Sequence, residues 1–373
     1  MKRLNYILSF VFLATVFFTS CDTDSVKPTD DNIVPENFSV EIPASLKSST
    51  SKATKSTQAD VMTGNETYEH LTTFINAGDE AAKIVEAVIK TIRANNLSRP
   101  MSFSYASDDD GRTKNVVIIA DAKFEGTTWN YQMTITDADS EGNDDGGVAI
   151  QVFWNTGTVE GVAIMKPYNI NRNTEDLYIQ AMFRIDYSEA GNNGYEQEMT
   201  VYISGLNLPD AATNPYAMET MKMTVGKEGN IIDVYGNTNH PNAYILQGKI
   251  GFNWAFVAAG ETDSNIAVAE VGLPPSDLSS NSREVILGTY SIKSVFTNEI
   301  TRAFPFFTFE QIAAYLVNTE APGYFNANGF VQGGVAPNTD YNAISSSIEQ
   351  LVPFNPSEVS SLKVEFKVSV SVK

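Results

Sequence analysis

The chain has 373 residues, with 25 Lys and Arg against 45 Asp and Glu, a formal net charge of −20, and a single cysteine. A surface this acidic repels nucleic acid and anionic lipid head groups, which excludes both as partners. One thiol excludes an internal disulfide framework and a multi-cysteine zinc site, and 42% hydrophobic residues suffice for one large core or two modest ones.

In chain order, the first 24 residues carry the most specific signal. Met1-Lys2-Arg3 is basic, Tyr6 to Phe18 is an apolar run, and the small residues Thr19 and Ser20 lead into Cys21. This is the layout of a secretory signal peptide cut before Cys21, and the run is shorter than the ~20 residues that span a bilayer. It resembles a bacterial lipoprotein signal in the relaxed form found in Bacteroides-type Gram-negative bacteria. The resemblance implies that residues 1–20 are removed and that Cys21 carries palmitate-type acyl chains, which leaves no cysteine nucleophile. Stable anchoring takes more than one acyl chain, each buried methylene contributing ~0.8 kcal/mol, and a di- or triacylated cysteine meets that condition. Asp22 and Asp24 resemble the acidic export signals of surface-displayed lipoproteins, which implies an outer-membrane anchor with the body at the cell surface; a periplasm-facing body is the alternative.

Residues 21–60 are rich in Ser, Thr, Lys, Asp and Pro and read as a flexible tether. Within them Phe38–Pro43 alternates apolar and polar residues as a short strand that docks on the body would. The spacing of Ala81, Ile84, Val85, Val88, Ile89 and Ile92 predicts an amphipathic helix from Asp79 to Asn95. From Pro100 the period becomes 2. It predicts strands over Met101–Ser107, Asn115–Ala122, Thr127–Asp137, Val148–Asn155, Val159–Lys166, Leu177–Tyr187, Tyr195–Ser204, Met218–Val225, Ile231–Tyr235 and Lys249–Ala259. Turn pairs such as Asp110-Gly111, Glu125-Gly126 and Glu228-Gly229 separate them and predict hairpins. A helix-plus-sheet domain over 61–260 follows, completed by 261–373. There Gly272–Glu284 reads as a loop, Thr308–Gln311 as a capping box opening a helix to about Asn318, Ala321–Asn342 as a long irregular loop, and Leu362–Val372 as a strand. The fold class is α+β, a curved, half-barrel-like antiparallel sheet packed on one or two helices; an all-β sandwich of two domains is the alternative.

Little in the sequence points to catalysis. His70 and His240 are the only histidines, no Gly-x-Ser-x-Gly elbow is present, and 45 acids give no family motif for a glycoside hydrolase, the third reading in order. Asp137, Asp139 and Glu141, followed by Gly142, match the start of an EF-hand loop, but Val148 stands where the bidentate Glu belongs, so they offer a weak calcium site at most. The more unusual signal is apolar. Seven of the ten methionines, Met133, Met165, Met182, Met199, Met218, Met221 and Met223, fall in the strands, alongside Trp129, Tyr131, Trp154 and Tyr178. Phe252, Trp254 and Phe256 share one strand face. Thioethers suit deformable surfaces that accept varied ligands, although they also fill ordinary cores.

The order of a helix followed by a long meander over residues 65–260 resembles the half-barrel fold of envelope lipoprotein carriers. That resemblance implies a non-enzymatic protein that holds a hydrophobic or amphipathic ligand beside Met133, Met165, Met182, Trp154, Phe252, Trp254 and Phe256. The alternative is a glycan-binding or adhesive module, including a pilin-like one that donates its last strand to a neighbour.

Overall fold

The computed structural model describes residues 33–48, 62–94, 99–157, 159–212, 214, 216–245, 248–249 and 251–367. Cys21 and the residues expected to form a leader lie outside the described residues. The body is built on one open antiparallel sheet of thirteen strands that follow one another in chain order from edge to edge. The strands are β1 (Met101–Ala106), β2 (Thr113–Phe124), β3 (Thr127–Asp137), β4 (Val148–Asn155), β5 (Glu160–Met165), β6 (Met182–Ser188) and β7 (Gln197–Ser204). They continue through β8 (Thr220–Glu228), β9 (Ile231–His240), β10 (Phe252–Glu261), β11 (Ile266–Gly272), β12 (Gly323–Asn326) and β13 (Gly329–Gly333). The fold is mixed α+β and dominated by this sheet, and its continuity replaces the alternative of two sandwiched domains.

All ten strands expected between residues 101 and 259 are present, with ends moved by a few residues. The main shift is in the segment expected to start at Leu177, where Asp176–Tyr178 forms a 3₁₀ turn and the strand begins at Met182. Three further strands, β11 to β13, lie beyond. The stretch Ala321–Asn342, expected to be irregular, contains the β12–β13 hairpin and then a 3₁₀ turn at Thr339–Tyr341. Gly and Asn are poor strand formers, so local composition points the wrong way; pairing of Val268 and Ala269 with Tyr324 and Gly323 decides the outcome.

The inner face of the sheet packs on helix α1 (Gly64–Arg93). This helix begins fifteen residues before the expected Asp79. The buried stripe already runs through Tyr68, Leu71, Phe74 and Ile75, and Asp79, which looks like an N-terminal acid, is instead buried mid-helix and paired with Lys83 and Lys47. Residues 33–48 run along the same core. Phe38, Val40 and Ile42 alternate inward as expected, and Leu46 joins them from a one-turn helix at Ala44–Lys47. The stretch is extended but belongs to no sheet. It is held by Arg93 donating to the Val34 carbonyl at 3.0 Å, Trp154 Nε1 donating to the Ile33 carbonyl at 2.6 Å, and Phe38 stacking on Tyr187.

The outer face is covered in two places. Near β10 to β12, helix α4 (Asn342–Ile348) seats Ile344 and Ile348 on Val257, Ala259 and Val268. Near β4 and β5, the tip of the β2–β3 hairpin brings Ala122, Phe124 and Trp129 onto Phe153, Val162 and Ile164, and Val364 closes that cluster. Residues 362–367 were expected to start a strand; instead they cross the outer face unpaired, and 368–372 lie outside the described residues. Backbone groups in the middle of the sheet are already satisfied by the ladder, so only side chains can receive the crossing segment. Ser204 Oγ accepts from Val364 N at 3.0 Å and Gln151 Oε1 from Lys367 N at 2.7 Å. Helices α2 (Ile292–Ala303) and α3 (Phe309–Tyr315) form an insertion between β11 and β12, and α5 (Pro356–Ser360) precedes the crossing segment. Thr308 caps α3 with the expected capping box. Among the described residues no helix is long and apolar enough to cross a membrane.

Candidate functional site

His70, Phe74 and Gly78 are four residues apart on α1 and so stand in one line along the helix. That line faces the ends of β8, β9 and β10. Gly78 is seated on Met221 and Met223, and a Cβ there would lie 2.9 Å from Met221 Cε. One turn earlier, Phe74 lies 5.7 Å from Trp254 and 5.0 Å from His240 between ring centres. Another turn back, His70 is 5.7 Å from Trp254 and 6.2 Å from Tyr216, which in turn lies 6.5 Å from Phe252. Six rings from four separate elements thus converge at one end of the sheet. Phe74, Phe252, Trp254 and His240 are buried, His70 is half-buried, and Tyr216 stands at the rim with 42% of its surface exposed.

His240 ties this end together. Its Nδ1 lies 3.0 Å from the Tyr216 carbonyl, which can only accept, so Nδ1 carries the proton and Nε2 accepts from Thr238 Oγ1 at 2.6 Å. Burial lowers its pKa to about 3, opposed by its hydrogen bonds to the Tyr216 and Ala217 backbone and aided by the nearby His70. The ring is therefore neutral at any physiological pH and adds no charge to the aromatic cluster. Because the folded pKa lies below the ordinary 6.5, the unfolded chain binds the proton first, and stability held above pH 6.5 is lost as pH falls toward 3. Between pH 6.5 and pH 5 this amounts to about 2 kcal/mol. Urea denaturation at the two pH values should show that loss, and His240→Asn should flatten it; an unchanged slope in the variant would assign the loss to other groups.

The other candidate residues are dispersed. Phe252 and Trp254 belong to the ring cluster, and Phe256 continues their line deeper under α1. Met133, Met165 and Trp154 are buried on the same inner face, but on β3, β5 and β4, away from the ring cluster. Met182 is on the outer face, packed with the group that includes Val364 and Phe366. His70, Phe74, Tyr216 and His240 were not among the expected contacts. The four-residue spacing of His70 and Phe74 was a usable signal, whereas nothing local connects Tyr216 to His240.

The acidic loop after β3 is built differently from a calcium loop. Asp137 has no exposed side-chain surface and is gripped by Arg112 at 2.8 Å and Arg172 at 3.1 Å, with Lys114 at 3.7 Å. Glu141 accepts from Asn115, and among the described residues no three His, Cys, Asp or Glu side chains are grouped to hold a metal ion. Protein cations occupy the place that calcium would take. Other buried or half-buried carboxylates are also engaged. Asp186 pairs with Arg184, Glu270 with Arg283, and Asp233 accepts from Tyr195 and Ser347.

No protein-family model matches the chain, and no curated protein or solved structure does either. The ring cluster therefore has to be interpreted from its own chemistry. It offers aromatic faces, one hydroxyl-bearing rim group in Tyr216, a neutral imidazole held by the buried Thr238, and deformable thioethers one turn deeper, a lining suited to apolar or amphipathic molecules.

Proposed function

We propose that this chain is a non-enzymatic, lipid-anchored protein of the outer membrane, displayed at the cell surface, whose sheet wraps α1 as a half-barrel. A hydrophobic or amphipathic ligand is taken up at the aromatic end of that half-barrel. The observation that carries this reading is the convergence of His70, Phe74, Tyr216, His240, Phe252 and Trp254, with Tyr216 exposed at the rim. An aromatic rim above buried rings gives an acyl chain or a flat apolar group somewhere to stack as it leaves water, and the thioethers of Met221 and Met223 can yield behind it. Anchoring through acylated Cys21 is supported by the Thr19-Ser20-Cys21 signal.

Native mass spectrometry with lipid extraction tests the reading. The purified chain should retain an extractable apolar mass, and Tyr216→Ala, at an exposed position that leaves the fold intact, should weaken uptake about tenfold. Trp254→Glu should abolish it. Met182→Glu, on the other face, should not change it. Full uptake in both Tyr216→Ala and Trp254→Glu would overturn this site, and a clean apo mass for the parent chain would favour a glycan-binding or adhesive role.

A further inference from the structure

The insertion between β11 and β12 ends in a cluster of phenylalanines that the ring cluster does not use. Helices α2 and α3 pack on each other through Ile300, Ile312 and Leu316, and the turn between them reads Ala303-Phe-Pro-Phe-Phe-Thr-Phe309. Phe304 tucks against this small core. Phe306 and Phe309 are 74% and 71% exposed, and Phe307 is 42% exposed. The rings pack on one another, Phe304 stacked on Phe307 at 5.3 Å and Phe306 edge-on to Phe307 at 5.0 Å. The Thr308–Gln311 capping box fixes the turn that presents them. Exposed rings this close together in a water-facing turn mark a contact surface.

We propose that this phenylalanine tip inserts into the interface of a zwitterionic lipid bilayer. Three features favour a bilayer over a protein groove or a second copy. No charged residue occurs from Ala303 to Phe309, in a chain whose net charge of −20 repels another copy of itself and repels anionic lipid. Phe306 and Phe309 expose most of their surface on one turn, and a fluid apolar phase receives such rings without a matching cavity. A bilayer is also within reach of the chain. The stretch from Cys21 to Ile33 can extend about 40 Å at ~3.3–3.6 Å per residue. That is close to the ~45 Å length of α1 at ~1.5 Å per residue.

The placement gives the contact a consequence. Ile33 docks beside Trp154 and the Arg93 end of α1. The insertion leaves the sheet at Gly272, which bridges Ser291, and returns at Leu316, which pairs with Met62 at the start of α1. The tip and the aromatic rings are thus at the same end of α1, and the described chain begins with Ile33 at the other. A docked tip holds the aromatic end toward the membrane, although the inference does not depend on a ligand binding there.

The test uses the chain from Asp22 to Lys373, without the apolar leader and the acylated cysteine, and vesicles of phosphatidylcholine. Cosedimentation should be present and should fall about tenfold for each ring lost, hence about a hundredfold in Phe306→Ser/Phe309→Ser. In a separate variant, Phe309→Trp, the added indole should shift its emission to shorter wavelength on vesicle addition and be quenched by brominated acyl chains. Equal sedimentation with and without the two rings, or an indole that stays in water, overturns the proposal. So does a concentration-dependent dimer, seen by sedimentation velocity, that binds no vesicles and is lost in the serine variant, because the tip then belongs to a second copy. Phe306→Ser/Phe309→Ser should retain the extractable apolar mass of its parent, so a failure at the aromatic rings and a failure at the tip are told apart.

Discussion

Asp137→Ala is expected to lower the stability of the body by about 3–5 kcal/mol, read as a fall in the urea midpoint at pH 7. The carboxylate is fully buried and receives Arg112 Nε at 2.8 Å, Arg172 Nε at 3.1 Å and Ser140 Oγ at 3.2 Å. Lys114 is also buried and keeps Asp110 at 3.1 Å and the Asn169 carbonyl at 3.0 Å, but loses the second carboxylate that offsets its charge. Removing one member of such a group leaves the buried Lys114 and two part-exposed guanidiniums short of compensation, which costs more than the group contributed as a whole. Asp137→Asn, which keeps the shape and removes the charge, should cost nearly as much; a loss below 1 kcal/mol in both would show that the arginines simply swing into solvent.

The acid dependence of that contribution has a definite sign. Burial raises the Asp137 pKa, but the hydrogen bonds from Arg112 and Arg172 and the charge of Lys114 outweigh it and hold the carboxyl below its usual range. The stabilisation is therefore fully present above the ordinary carboxylate value near ~3.9 and is lost only as pH falls through the lower folded value. Between pH 5 and 8 the difference between the parent and Asp137→Ala should stay constant. The loss assigned to His240 begins higher, near pH 6.5, so the two groups separate on one stability profile.

The second large effect is expected at Gly236→Ala, a loss of at least about 3 kcal/mol. Gly236 lies in β9, between β8 and β10, opposite Met223 and Phe256. An added Cβ would meet the Lys222 carbonyl oxygen, and it would lie 2.9 Å from Met223 Cα and 3.0 Å from the Lys222 carbonyl carbon. All three are backbone atoms of a paired neighbour, so no side chain can turn aside and the ladder itself has to part. Gly142→Ala is the matched control, with nothing within 4 Å of its new methyl, and should change stability by less than about 0.5 kcal/mol. Equal midpoints for the two variants would mean that β8 and β9 separate more easily than their pairing implies.

Much of the sheet was legible because its signal is local. Alternation and turn pairs marked every strand from β1 to β10, and the Thr308 cap marked the start of α3. Legibility failed where a local cue and a distant contact disagreed. Gly78 and Asp79 look like the edge of a helix, yet α1 continues through them because Met221 and Met223 fill the space beside the glycine and Lys83 and Lys47 neutralise the acid. The glycines of β12 and β13 look like a loop, yet β11 supplies the pairing that orders them. Leu362 to Phe366 alternates like a strand, yet it meets a sheet face rather than a sheet edge.

The site divides in the same way. Phe252, Trp254 and Phe256 share a face because strand geometry has period 2, and the sequence by itself determined that, along with the excess of acids over bases. Periodicity defines two faces but not which one meets the helix, and so Met182 could not be told from Met133 until the inner and outer faces were distinguished. Only the tertiary structure brought His70, Phe74, Tyr216 and His240 to Trp254 and Phe252. Burial of a ring, and with it the low pKa of His240, is a property of its neighbours, and here those neighbours come from α1, β10 and the segment between β7 and β8, far apart along the chain.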